Sequence, residues 1–423
     1  MHIVIVGNGI SGVTAARHIR RLSNFEVTII SDESPYFFAR TALMYVYMGQ
    51  MRLQDIKPYA DDFWRKNNLQ LLQQRIVHID FFDQFLLTQN DLKIHYDKLI
   101  LATGSLPCKL GCIGESLNGV QHLYHWQDLE QLESLSPFIK NAVIVGGGLI
   151  GVELAEMLIS RKISVTMLVR EPAFGQSILP REEAEMVSRH LKVKKVNILY
   201  NRQLSTIIGD EKNNVARAVS DASEQIDCQF VGVTIGVQPN IAWIKNDALH
   251  CKKGVVIDEY LTTNLPNVYA IGDCAELQII APYRKAIEPV WYTARRMGKT
   301  VAQTICGQPT KYQQGIWYNS AKFFDIEMQV YGFVPNDAQL PSLHWQHPTK
   351  NKSIRLVYNP SNKNCVSGVL LMGVRYKQSV CEQWISEGTP IKTVLKQLHQ
   401  ANFDAEFSEH CEVFLQELET TIL

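Results

Sequence analysis

An excess of either charge is missing from this 423-residue chain, where 42 Lys and Arg balance 42 Asp and Glu. Nothing in that balance favours nucleic acid or an anionic membrane as a partner. Also missing is any apolar run approaching the length of a membrane span. The first residues carry no basic stretch ahead of an apolar one, as a secretory leader would need, so the expected setting is cytoplasmic. The nine cysteines are odd in number and scattered. That excludes the disulfide framework of a small secreted domain and points to reduced thiols. None of them precedes Cys108. What remains is an ordinary globular balance, 46% hydrophobic and 20% charged, with chain enough for two or three domains.

Against that plain background one pattern occurs twice. A short apolar strand over residues 3–6 leads into Gly7-Asn8-Gly9-Ile10-Ser11-Gly12. A helical pattern follows, with Val13, Ala16, Ile19 and Leu22 spaced for one buried face, and then a β-branched run over 27–30. In such a turn the first glycine permits the tight bend, the second lets backbone approach a pyrophosphate, and the third lets helix and strand pack closely. The helix N-terminus offers unpaired N–H groups and its positive dipole end to the phosphates. Asp32, twenty residues past Gly12, stands where an acid binds a ribose hydroxyl.

The second copy has its strand at 142–145, its turn at Gly146-Gly147-Gly148-Leu149-Ile150-Gly151, its helix with Val152, Leu154, Ala155 and Leu158, and a further strand at 163–169. One glycine motif alone is a weak signal, but two in full strand–turn–helix–strand context are a strong one. Two cradles in one chain imply a resident dinucleotide and a visiting one, which is what a flavin reductase requires.

These residues resemble the two-dinucleotide-domain flavoproteins of the pyridine nucleotide-disulfide oxidoreductase superfamily. Three further segments carry the resemblance, in the family's order. Ala102-Thr103-Gly104-Ser105-Leu106-Pro107 is similar to the segment where the chain leaves the FAD domain, and Gly236-Val237-Gln238-Pro239-Asn240 to its counterpart after the NAD(P)H domain. The stretch from Thr263 to Ile271-Gly272-Asp273 is similar to the second FAD motif, whose Asp holds the ribityl and pyrophosphate region. The resemblance implies an α/β fold of two Rossmann-like, glutathione-reductase-like domains. Residues 1–112 and 250–315 would form the FAD domain, 113–249 the NAD(P)H domain, and 316–423 a small α+β C-terminal domain. Strands at 354–358 and 367–372 and a helix at 391–398 are expected in the last of these.

Within the superfamily, Tyr36-Phe37-Phe38-Ala39-Arg40-Thr41-Ala42-Leu43 resembles the ferredoxin and rubredoxin reductase branch, with the reductase part of nitrite reductase large subunits a near relative. There an Arg at the position of Arg40 approaches the FAD phosphates, which its planar fork suits. The departures narrow the chemistry. The paired or single cysteine of the disulfide and peroxide reductases is absent, since positions 40–44 read Arg-Thr-Ala-Leu-Met. The branch's Lys partner to a helix Glu is also absent. Glu153 matches the Glu, and Tyr45 stands near the Lys position. The expectation is that Glu153 lies near the flavin N5 and the nicotinamide, bonded to Tyr45, rather than serving as a solvated helix glutamate. Pro289 and Val290 are expected at the start of a helix whose dipole faces the flavin pyrimidine ring.

The choice between NADH and NADPH stays open on sequence. Arg170 would attract a 2′-phosphate and Glu171 would bind ribose hydroxyls. Cys108, Cys112, His122 and His125 do not match a common zinc spacing and are read as packing, with no metal expected. Residues 317–325 are read as a strand, Cys381 as a buried helix residue. The expected function is passage of electrons from NAD(P)H through resident FAD to an iron–sulfur or rubredoxin-like carrier, in a homodimer. The alternatives are an NADH oxidase, a nitrite-pathway reductase component, or a non-enzymatic redox-sensing flavoprotein.

Overall fold

A computed structural model describes residues 1–404 and 406, apart from 177, 245 and 338. The chain divides into two compact units. The first comprises Met1–Cys108, Tyr124–Ser134 and Gly236–Gln314, and the second Lys109–Leu123, Leu135–Ile235 and Gly315–Leu423.

The first unit is built on a five-stranded sheet in the order Val268–Ala270, Lys98–Leu101, His2–Val6, Glu26–Ser31 and Leu69–Gln73. Every neighbouring pair runs parallel. Its central strands are continuous apolar runs because both faces are covered: Ile3, Val4, Ile5, Leu99, Ile100 and Leu101 are all fully buried. The helices Ile10–Leu22 and Trp291–Ile305 pack together. Gly298 permits this, because a Cβ there would lie 2.5 Å from the Ser11 carbonyl oxygen and 2.9 Å from the Thr14 Cβ. A small antiparallel sheet of Ile76–Asp80, Phe85–Thr88 and Lys93–His95 interrupts the parallel pattern, and the alternation of the sequence did not announce it.

The second unit repeats the plan. Its parallel sheet runs Asn197–Tyr200, Ser164–Val169, Asn141–Val145, Phe230–Val233 and Val120–Gln121. Val152, Leu154, Ala155 and Leu158 of the helix Leu149–Ser160 are fully buried, as the spacing requires. In the first helix Val13, Ala16 and Ile19 are buried, but Leu22 is 41% exposed. Leu22 is the last helical residue, before the C-cap Ser23, so it has left the packed face. The mixed α/β architecture with two parallel-sheet, Rossmann-like halves is the one expected.

The rest of the second unit holds an antiparallel sheet in the order Tyr318–Phe323, Ile326–Gly332, Cys365–Met372, Ser353–Asn359 and Ser342–Gln346. Helices Gln378–Ser386 and Ile391–Ala401 share its core, with Cys381, Ile391, Val394, Leu395 and Leu398 at zero exposure. One buried charge cluster joins this sheet to the helix Arg181–Val193. Arg355 donates from Nε to Glu183 Oε1 at 3.0 Å and from Nη2 to Glu183 Oε2 at 2.9 Å. It also reaches Glu182 Oε2 and Ser342 Oγ, each at 2.7 Å. Glu183 is fully buried and Arg355 nearly so.

Candidate functional site

The two glycine turns have the same construction. Gly7 at φ +117° and Gly146 at φ +118° both adopt backbone that side chains rarely reach. A Cβ on Gly7 would collide with the Ala102 carbonyl, and one on Gly146 would lie 2.5 Å from the Thr234 carbonyl oxygen. The amide of Gly7 donates to Ile30 O at 2.7 Å and that of Gly146 to Leu168 O at 3.0 Å, tying each turn to the next strand. The third glycines pack against the first: a Cβ on Gly12 would strike the Gly7 carbonyl, and one on Gly151 would lie 2.7 Å from the Gly146 carbonyl oxygen.

The middle glycines differ in kind. Around a Cβ built on Gly9 or on Gly148 there is nothing within 4 Å. Each is the N-cap of its helix, with no capping side chain and no acidic residue in the first turn. The orphan N–H groups of both helix starts thus have no side-chain cap, which is the arrangement that receives a phosphate. Protein atoms crowd a Cβ at Gly7, Gly12, Gly146, Gly147 and Gly151, and none stands near one at Gly9 or Gly148.

The segment ending at Gly272 and Asp273 reaches the first cradle. Strand Val268–Ala270 adds to the edge of the first sheet beside Lys98–Leu101. The chain then turns at Gly272 (φ +75°), where a Cβ would lie 2.7 Å from Ser11 Oγ. Asp273 is thereby placed beside the helix that Ile10 and Ser11 begin. Burial pushes its carboxyl up, and Ser105 Oγ donates to it at 2.9 Å. Thr103 and Gly104 are held from the other side: Thr103 Oγ1 donates to Asn240 O at 2.8 Å, and Asn240 N donates to Gly104 O at 2.9 Å. Gly236 (φ +102°) accepts from the Cys108 amide at 3.0 Å, alongside the short antiparallel pair Ser105–Pro107 and Val237–Pro239.

Two partners at this site carry no signal in the local sequence. Arg40 forms a fork with Glu33, at 2.8 Å to Oε1 and 2.5 Å to Oε2, and also donates to the Tyr124 carbonyl, with its guanidinium 4.6 Å from the Tyr124 ring centroid. Glu33 Oε1 also accepts from the Trp126 amide at 2.9 Å. Asp32 is exposed, whereas its neighbour Glu33 is partly buried. The second is the buried pair Arg284–Glu288 at 2.6 Å. The helix after it starts later than Pro289: Trp291 is the first helical residue and Val290 the N-cap. Glu288 fixes this geometry, because its carbonyl accepts from Val290 N at 2.8 Å and its carboxylate from Thr293 Oγ1 at 3.3 Å.

Glu153 lies in the helix Leu149–Ser160, within two turns of Gly148. Burial, and then repulsion from Glu156, push its carboxyl up to about 7. Tyr45 is half-buried in the short helix Leu43–Tyr47. Arg170 and Glu171 follow the strand Ser164–Val169 and pair with each other at 2.9 Å, Arg170 being 74% exposed and Glu171 24%. Of the cysteines near the cradles, Cys274 is fully buried and its thiol donates to Leu101 O and Ile271 O, so it is a packing residue. Among the described residues no three His, Cys, Asp or Glu side chains come together to hold a metal. No described helix is long and apolar enough to cross a membrane.

Residues 1–298 match the pyridine nucleotide-disulphide oxidoreductase family. The chain belongs to this family. It is thus an oxidoreductase built on FAD and a pyridine nucleotide, as its two cradles imply. Over 316 residues it is 28% identical to the nitrite reductase [NAD(P)H] of Bacillus subtilis, covering 74% of this chain but only 38% of that protein. It is 29% identical over 322 residues to the rubredoxin-NAD(+) reductase of Ectopseudomonas oleovorans, covering 73% of this chain and 81% of that one. The solved NAD-dependent persulfide reductase from A. fulgidus shares the fold across the whole chain and 83% of its own, with a TM-score of 0.86 at 22% identity.

Proposed function

We propose that this protein takes reducing equivalents from NAD(P)H, bound by the second cradle, onto FAD, resident in the first, and passes them to an iron–sulfur or rubredoxin-like carrier in the cytoplasm. The observation that carries this reading is the pair of open middle glycines, Gly9 and Gly148, each at an uncapped helix start. When bound, FAD accepts two electrons together as hydride and releases them singly. The chain's own task is to bind, orient and tune. Gly7, Gly9, Ile10, Ser11, Gly12, Thr103, Gly104, Gly272 and Asp273 would hold the resident cofactor, and Gly146, Gly148 and Gly151 the visiting one. Arg40 joins the first set through Glu33. The proposed domains are 1–112 and 250–315 for FAD, 113–249 for NAD(P)H, and 316–423 as the C-terminal domain, with Tyr124–Ser134 and the segment 236–249 packing in the first unit. A direct outlet to a one-electron carrier fits the absence of cysteine from positions 40–44.

NADH is the proposed donor. Glu171 is the more buried of the Arg170–Glu171 pair, and its backbone carbonyl is fixed by the Asn201 amide at 3.2 Å. A carboxylate so placed binds ribose hydroxyls and opposes a 2′-phosphate. Glu171→Ala frees the Arg170 guanidinium, and the preference for NADH over NADPH is expected to fall by about tenfold. The ratio of flavin reduction rates with the two nucleotides checks this.

Glu153 and Tyr45 are the proposed catalytic residues, and rapid mixing with NADH tests the assignment. Glu153→Gln is expected to slow flavin reduction by about tenfold or more and to remove a pH dependence centred near 7. An unchanged rate and pH profile would remove Glu153 from the mechanism. A second readout follows from linkage. The folded-state value lies above the ordinary 4.5, so the stability this group contributes is full below about 4.5 and is lost as pH rises through 7. The Gln variant is therefore expected to match wild type near pH 4.5 and to be more stable at pH 8, by about 1–3 kcal/mol.

A further inference from the structure

Positive charge is concentrated on one part of a chain whose total charge balances. Arg17, His18 and Arg21 lie on the helix Ile10–Leu22, and Arg295 and Lys299 on the helix Trp291–Ile305, and these two helices pack together. Arg21, Arg295 and Lys299 are exposed, with Arg17 and His18 half-buried. Arg17 lies 4.9 Å over the Tyr59 ring. Arg21, Arg295 and Lys299 have no carboxylate partner among the described residues. The cations sense each other. Burial, and then the fields of Arg21, Arg17, Lys299 and Arg295, hold the His18 imidazole below its ordinary value.

This grouping works against the stability of its own helices. Arg17 and Arg21, like Arg295 and Lys299, are four residues apart on one helix face, where like charges repel. Elsewhere this protein compensates such positions: Lys57 with Asp61, Lys66 with Asp62 and Arg181 with Glu185 are all i, i+4 ion pairs. A segregated, uncompensated field steers a partner of opposite charge. The same two helices frame the first cradle. Ser11 lies against Gly272, and Ala294, the neighbour of Arg295, has its Cβ 3.9 Å from a Cβ built on Gly272.

We propose that the outward face formed by Arg17, Arg21, Arg295 and Lys299 is the docking surface for an acidic protein electron carrier. The proposal rests on the reductase reading above, and it adds where the carrier binds and what charge it bears. Adjacency to the FAD cradle favours a redox protein over a lipid surface or a nucleic acid, since electron transfer needs the donor group close to the acceptor, whereas anchoring to a polyanion does not.

The test uses the flavin-loaded protein and a triple variant, Arg21→Glu, Arg295→Glu and Lys299→Glu, none of which lies in the cradles. An acidic [2Fe–2S] ferredoxin and a rubredoxin are the probes, and each is titrated calorimetrically onto the oxidised protein at about 0.05 and 0.3 M salt, where screening differs strongly. Wild type is expected to bind at least one carrier more tightly at low salt. The triple variant is expected to lose roughly tenfold or more in affinity and in carrier KM, with its flavin bleached by NADH at the wild-type rate. Undiminished binding by the variant, or no binding of either carrier by wild type, overturns the surface. So does loss in the variant of binding to phosphatidylglycerol vesicles or to an oligonucleotide while carrier binding persists. Carrier binding by a protein that NADH does not bleach would instead overturn the reductase reading and leave the surface standing.

Discussion

Gly9→Val is expected to fold with the circular dichroism spectrum of wild type and yet to emerge from purification without its yellow colour. A Cβ at position 9 meets no protein atom within 4 Å, and the backbone there is extended, so the fold has little reason to resist a side chain. A ligand pyrophosphate on the uncapped helix start would meet it directly. The expected loss of FAD affinity is about a hundredfold or more, the weight of roughly 3 kcal/mol of overlap. Gly12→Ala makes the contrast. Its Cβ would strike the Gly7 carbonyl, a backbone atom that cannot step aside without opening the turn. That variant is expected to lose flavin and also about 1–3 kcal/mol of stability, read as a lower denaturation midpoint. Gly148→Val completes the set. It keeps the yellow colour, because Gly148 belongs to the other cradle, but its flavin is no longer bleached by NADH. A Gly9→Val protein that retains FAD would show that the open space at the first helix start is not a phosphate site.

Arg355→Ala is expected to destabilise the second unit by about 3–5 kcal/mol. The change leaves Glu183 with no exposure to water and without its fork partner, and Glu182 and Ser342 Oγ lose their bonds to the guanidinium as well. His344 Nε2 lies 3.3 Å from Glu183 Oε1, and with Arg355 in place burial holds its imidazole below the ordinary value. Chemical denaturation at pH 7 gives the measurement. Replacing Glu183 and Arg355 together by Gln and Met separates the two contributions: the double variant is expected to be less damaged than Arg355→Ala, since no unpaired charge remains buried.

The parts of this molecule legible in the sequence are those written in local pattern. Both glycine turns carry their spacing openly, and the C-terminal strands expected at 354–358 and 367–372 lie within Ser353–Asn359 and Cys365–Met372. The helix expected at 391–398 begins at Ile391, because Val394, Leu395 and Leu398 recur at the helical period. What stayed hidden depends on tertiary placement. Glu183 and Arg355 are 172 positions apart, and nothing local distinguishes them among 84 charged residues, 42 of each sign. Glu33 was overlooked beside Asp32 because spacing alone does not say which of two adjacent acids turns inward. The preference of proline for a first turn puts Pro289 and Val290 at a helix start on sequence, and Val290 is its N-cap. The helix begins at Trp291, after the turn in which Glu288 O accepts from Val290 N.

Two such cradles predict one resident flavin that one pyridine nucleotide reduces. An anaerobic titration of the purified protein with NADH, followed in the visible spectrum, tests this most directly. The predicted result is a flavin band present before any addition and bleached by about one equivalent of NADH, with NADPH acting more slowly. A protein that carries no flavin, or whose flavin band survives excess of both nucleotides, would contradict it.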